Sequence, residues 1–180
     1  MIVCKDNFLS SDAFQELNTR ILNRFDASLR EHIIKSGRNF YPKQAIMSRI
    51  EPVEDEDYTR THILLGLPAI SATKSVQEYM NPKPRSIWFQ YTNSTHHVAR
   101  HIDDPVRSSS SEKSFTTLLY AHAQWEDTWG GEIVIEDDSY LPKPNRLILY
   151  SRDNWHGVNP ILNDNNDNYR MFLGTSWSSD

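Results

Sequence analysis

The sequence predicts an α+β domain, helices first and an antiparallel sheet system after them, and three observations carry that prediction. The stretch SSDAFQELNTRILNRF (10–25) spaces Phe14, Leu17, Ile21 and Phe25 by three and four residues, the period of a helix with one buried face. From residue 85 onward come short runs rich in Ile, Leu, Phe, Tyr, Trp and Thr, punctuated by Gly-Gly, Pro and Asn-Asp turns, as in strands. The length, 180 residues, suits one domain with a real core and is short for two.

Ser10 or Ser11 can cap the first helix, and Asp12 suits the positive end of its dipole. Residues 36–60 are polar, with Gly37, Pro42, Pro52 and the acidic run EDED, and read as a long surface excursion. AISATKSVQEYM (69–80) reads as a second helix, ended by Asn81-Pro82. The strand-like runs are 85–92, 114–125, 130–137, 145–151 and 168–177, with the polar turn NDNNDN at 163–168. Many short strands toward the C-terminus suggest a double-sheet jelly roll; periodicity alone does not fix their topology.

Composition narrows the function classes. The net charge of −5, with acids and bases mixed along the chain, argues against a general nucleic-acid or membrane-surface binder. Cys4 is the single cysteine, so no internal disulfide forms and a reducing, cytoplasmic setting is expected. No signal peptide and no apolar stretch of membrane-spanning length is evident.

The densest chemistry lies in HHVARHIDDP (96–105). On an extended strand His101 and Asp103, two apart, point to one side and can meet one ion. A lone His-x-Asp is weak evidence; in isolation a surface loop with a salt bridge to Arg100 or Arg107 explains it better. A second half changes that balance. The run NRLILYSRDNWHGVNPI carries a buried strand toward His156. Two histidines and one carboxylate on one face suit Fe(II) and leave positions open. Arg170 follows in the apolar-aromatic run YRMFLGTSW, where burial demands a carboxylate or phosphate partner.

The ordered set His-x-Asp, Gly-Gly-Glu, NRLILY, His-Gly-Val and Arg resembles the Fe(II)- and 2-oxoglutarate-dependent oxygenases of the prolyl hydroxylase superfamily, over roughly residues 85–177. Tyr91 stands ten before His101, Arg100 precedes it, HIDDP echoes His-x-Asp-Asn-Pro, and Tyr120 and Trp125 close the next strand. The oxygen-sensing type and its bacterial relatives are the most similar. The resemblance implies a double-stranded β-helix with N-terminal packing helices, a single oxygenase domain over 1–180 whose residues 1–80 give helical support and loops. It implies His101, Asp103 and His156 as catalytic iron ligands, and Arg170 and Tyr120 on the distal carboxylate of 2-oxoglutarate. It also implies Tyr91 and Val158 as pocket walls, O₂ as cosubstrate, and ascorbate as an optional cofactor. The implied reaction is hydroxylation of a C–H bond in a peptide or protein side chain, prolyl for preference, with 2-oxoglutarate converted to succinate and CO₂. The stretch from His156 to Arg170 is longer than in the oxygen-sensing enzymes, which loosens the assignment of Arg170.

Other residues read more plainly. His96 and His97 belong to a turn, His122 to packing beside Tyr120, Trp155 to the structure, and Glu132 to a turn. Asp104 alternates away from the metal. Three rivals stand beside the leading reading: a hydroxylase of a free amino acid or other small molecule, a non-catalytic jelly-roll metal-binding module, and a zinc hydrolase.

Overall fold

The computed structural model of the protein describes residues 1–22, 46–50, 83–92, 97–103, 114–162 and 170–178. Its strands form two antiparallel sheets. The major sheet runs in the order β1 (Ile2–Lys5), β8 (Leu147–Ser151), β5 (Ser114–Tyr120), β10 (Arg170–Ser178), β3 (Lys83–Thr92) and β2 (Ile46–Ile50). The minor sheet runs β4 (Val98–His101), β9 (His156–Val158), β6 (Ile133–Ile135), β7 (Asp138–Tyr140). A helix, α1, covers 11–22. Ser10 is its cap: its Oγ accepts from the Ala13 N–H at 3.3 Å and its carbonyl from the Phe14 N–H at 2.9 Å.

Strand alternation sorts the core into two layers. Leu119, Leu147, Met171, Leu173 and Trp177 pack with Leu9, Leu17 and Ile21 on the helix side of the major sheet. Leu118, Tyr120, Ile148, Tyr150 and Phe172 pack with Ile133 and Ile135 of the minor sheet. The expected face of α1 is therefore buried at Leu17 and Ile21, with Phe14 packed beside them. Phe25 lies outside the described residues.

Several boundaries differ from the sequence reading, each for a local reason. The run 114–125 ends as a strand at Tyr120. Beyond it the His122 ring replaces ladder partners, donating from Nε2 to the Pro142 carbonyl at 2.5 Å and accepting the Met171 N–H on Nδ1 at 3.2 Å. The run 130–137 is a strand only at Ile133–Ile135, because Gly130 and Gly131 both hold positive φ and Glu136 turns the chain at φ 51° into β7. The span 36–60, expected as a surface excursion, contains β2, paired antiparallel with β3 from Ile46↔Tyr91 to Ile50↔Ile87. The expected helix 69–80 and the turn 163–168 lie outside the described residues, as do His96 and Asp104. Among the described residues no helix is long and apolar enough to cross a membrane.

Burial and these two hydrogen bonds make His122 a core residue, and they carry a prediction. Burial first, against the raising effect of its backbone partners, pulls its pKa down to about 4. The unfolded chain then takes up a proton at about pH 6.5 that the folded chain refuses until about pH 4. Stability is full above the unfolded value and falls as pH drops through that window, by about 3 kcal/mol in all. Urea unfolding at pH 7 and pH 4.5 should show this slope, and a His122→Gln variant should have a shallower one. Parallel pH profiles for the two proteins would contradict it.

Candidate active site

The two sheets bring His101, Asp103 and His156 together. His101 ends β4 and His156 opens β9, and the two are register partners. Gly157 permits the approach: a Cβ there would sit 2.9 Å from the Val98 carbonyl oxygen and 3.2 Å from the Arg100 backbone. The β4–β9 pairing is irregular between Val98 and His101, and Asp103 lies just past the strand end, in a bend. The one-sided placement expected of an extended strand is thus achieved by a strand end plus a bend.

Asp103 Oδ1 lies 3.4 Å from Nε2 of His101 and 3.4 Å from Nε2 of His156. The ring centroids are 4.4 Å apart, and one ligand atom from each of the three residues falls within 4.8 Å of the others. Each imidazole is oriented by its far nitrogen. His101 Nδ1 donates to the Ala99 carbonyl at 2.9 Å and His156 Nδ1 to the Asn154 carbonyl at 3.0 Å. That tautomer leaves both Nε2 lone pairs aimed at the carboxylate oxygen. Three acceptors converging on one point require a cation between them, a proton or a metal ion.

The titration shifts follow from this crowding. Burial alone would lower the His156 pKa, but the Asp103 carboxylate and the Asn154 carbonyl hold it above the ordinary value. Burial likewise opposes ionisation of Asp103, and His156, Arg152 and His101 together outweigh it, so its pKa is lowered. Arg152 Nε stands 3.5 Å from Asp103 Oδ2, without hydrogen-bond geometry. His156 is buried, whereas the His101 side chain is 43% exposed, so the cluster opens on the His101 side.

A second polar group sits in the same inter-sheet layer. Tyr120 pairs with Phe172, two residues from Arg170 along β10, so Arg170 shares the pleat of Phe172 and Tyr120. Arg170 is 2% exposed, and its Nη1 donates to the Gly131 carbonyl at 2.9 Å. Its Nε and the Tyr120 hydroxyl are both buried without a hydrogen-bond partner. Burial dominates both pKa values, lowering that of Arg170 and raising that of Tyr120. Among the described residues no carboxylate pairs with Arg170. Gly131 is needed where it is: φ is +74°, and a Cβ would meet Ile161 Cγ1 at 3.0 Å and Trp125 at 3.2 Å.

A buried guanidinium and a buried phenol with unused donors suit a carboxylate that enters from outside the chain. The donor set of the His-Asp-His cluster suits a divalent metal. Residues 87–177 match the model of the 2OG-Fe(II) oxygenase superfamily. The chain belongs to that superfamily.

Among members of this oxygenase superfamily, a PKHD-type hydroxylase of Prochlorococcus marinus (strain MIT 9301) is 32% identical over 124 residues, which are 66% of this chain and 54% of that protein. The chain thus spans about half the length of that curated relative. Solved structures give the fold. A Pseudomonas putida prolyl-4-hydroxylase superposes with a TM-score of 0.59 at 15% identity, covering 98% of this chain and 91% of that one. The viral collagen prolyl hydroxylase of Paramecium Bursaria Chlorella virus-1, solved with 2OG, gives 0.62 at 12% identity over 99% and 96%. A Trichoplax adhaerens prolyl hydroxylase, solved with a hypoxia inducible factor peptide fragment, gives 0.62 at 20% identity over 99% and 83%.

The remaining expected residues fall as follows. Val158 is half-buried, on the pleat of His156, opposite Ile133 and Val98. Along β3, position 91 is the register partner of Met171 and Thr92 that of Arg170. Trp155, read as structural, is 48% exposed, because it stands outside the minor sheet. Arg152, Asn154 and Glu136 were missed by the sequence reading; only proximity to His156 in the chain could have pointed to the first two, and nothing pointed to Glu136.

Proposed function

We propose that this oxygenase is a single domain over 1–180, a double-stranded β-helix that hydroxylates a prolyl side chain of a peptide or protein. The observation that carries the reading is the pairing of two features in one inter-sheet layer: three converging metal-binding atoms, and a buried cation and phenol that no carboxylate among the described residues meets. His101, Asp103 and His156 would hold Fe(II), and Arg170 with Tyr120 would hold the distal carboxylate of 2-oxoglutarate. Bound there, iron and 2-oxoglutarate supply O₂-dependent C–H hydroxylation coupled to decarboxylation to succinate, with ascorbate as an accessory reductant. Asp103 offers Oδ1 while Arg152 stands beside Oδ2. Ile135, buried, pairs with His156, and Ile133, buried, pairs with Val158; this apolar flank would strengthen the charge interactions inside. The exposed His101 side would admit the target side chain. A cytoplasmic setting, expected from the lone Cys4, belongs to the same proposal.

The peptide substrate draws support from the Trichoplax neighbour, whose structure includes a peptide fragment, and from the Pseudomonas neighbour, a prolyl-4-hydroxylase. The test is succinate formation by the iron-loaded protein with proline-containing peptides, free proline and other free amino acids. Peptide-dependent turnover with an added 16 mass units (roughly one oxygen) on proline is expected. Turnover only with a free amino acid would replace the prolyl-peptide substrate with a small molecule.

A further inference from the structure

The outer face of the minor sheet carries a polar cluster that the proposed reaction does not use. Glu136, at the β6–β7 turn, accepts on Oε1 from the Asn154 side-chain amide at 2.9 Å and from the Trp155 N–H at 3.0 Å. Its own N–H donates to the Trp155 carbonyl at 2.8 Å. Its Oε2 lies 3.7 Å from Arg100 Nη2. One residue thus grips the segment 154–155 from backbone and side chain, and reaches the residue before His101. The segment it grips presents the Asn154 carbonyl that fixes the His156 imidazole.

Two further observations favour a positioning role over a surface ornament. Glu136 holds φ at 51°, a conformation glycine takes more cheaply; the glutamate costs conformational energy there and brings an acceptor that glycine lacks. Apart from Glu136, the segment 154–155 is held by the Asn154 N–H donating to the Ser151 carbonyl at 3.0 Å, while Trp155 is 48% exposed. We propose that Glu136 is a positioning residue for the metal site, holding the Asn154 carbonyl where it sets the tautomer and tilt of His156, with Arg100 tying in the His101 strand. The inference rests on the reading of His101, Asp103 and His156 as metal ligands.

The test is calorimetric titration of the full chain with Fe(II) under anaerobic conditions, beside thermal unfolding of each metal-free variant. Glu136→Gly suits the turn and deletes the clamp; it should weaken Fe(II) binding about 10–100-fold, as loss of an outer partner of a ligand does. Glu136→Gln keeps an oxygen for both Oε1 bonds and should stay within about 3-fold of the parent. Asn154→Ala, away from the turn, removes one of the two bonds and should fall between them. A merely structural role would shift the unfolding temperature and leave the affinity of the folded protein alone. Parent-like affinity in Glu136→Gly, or equal losses in the Gly and Gln variants, overturns the clamp. No Fe(II) binding by the parent chain would instead overturn the metal reading itself.

Discussion

An Asp103→Ala variant is expected to fold, to bind Fe(II) at least about 100-fold more weakly than the parent, and to form no succinate. The loss should exceed the roughly 10–100-fold caused by removing an outer partner, because Asp103 Oδ1 is the atom both imidazoles face, at 3.4 Å each. Folding should survive, since the Asp103 side chain is 26% exposed and its removal opens no cavity in either core layer. The change also relieves the convergence of three acceptors in the metal-free protein. Circular dichroism, calorimetric Fe(II) titration and succinate release check the three parts separately. Parent-like turnover in this variant would remove Asp103 from the site.

Arg170 should separate function from stability in the opposite sense. The residue is 2% exposed, and its guanidinium has one hydrogen bond, to the Gly131 carbonyl, and an Nε without a partner among the described residues. A buried charge lacking its counter-ion is a cost to the folded state, and an apolar replacement of similar length is often neutral or stabilising. Arg170→Met should therefore unfold at an equal or higher temperature when 2-oxoglutarate is absent, and keep its Fe(II) affinity. Its affinity for 2-oxoglutarate should fall by about 30-fold to several thousand-fold, the equivalent of about 2–5 kcal/mol for truncating one side of a buried charge pair. The parent should be stabilised by saturating 2-oxoglutarate and the variant should not. Unchanged cosubstrate affinity with a large drop in unfolding temperature would make Arg170 a structural cation instead.

The sequence made the site more legible than the path of the chain around it. Histidine and aspartate two apart, a histidine after a buried strand, and an arginine amid apolar residues are each conspicuous, and the structure brings the first three within bonding reach of one ion. Arg170 was legible because burial of a cation contradicts its surroundings. Short strands were less so. The run 130–137 reads as one strand but holds only Ile133–Ile135, and Asp138–Tyr140, three residues long, is too short for alternation to register; a positive φ at Glu136 rather than a glycine marks the turn between them. β2 hid because pairing with β3, a long-range contact, decides it rather than local pattern. Glu136 was invisible because its partners, Asn154 and Arg100, come together only when β4, β6 and β9 assemble.

The central claim is that one inter-sheet layer holds both a metal and a dicarboxylate. The direct measurement is anaerobic titration of the metal-free protein with Fe(II), then 2-oxoglutarate, followed by visible absorption. A charge-transfer band that grows only when both are present, is lost in His156→Ala and needs far more 2-oxoglutarate in Arg170→Met would establish the claim. Stoichiometric Fe(II) binding with no band at any 2-oxoglutarate concentration would contradict it, leaving a metal-binding module without a cosubstrate pocket.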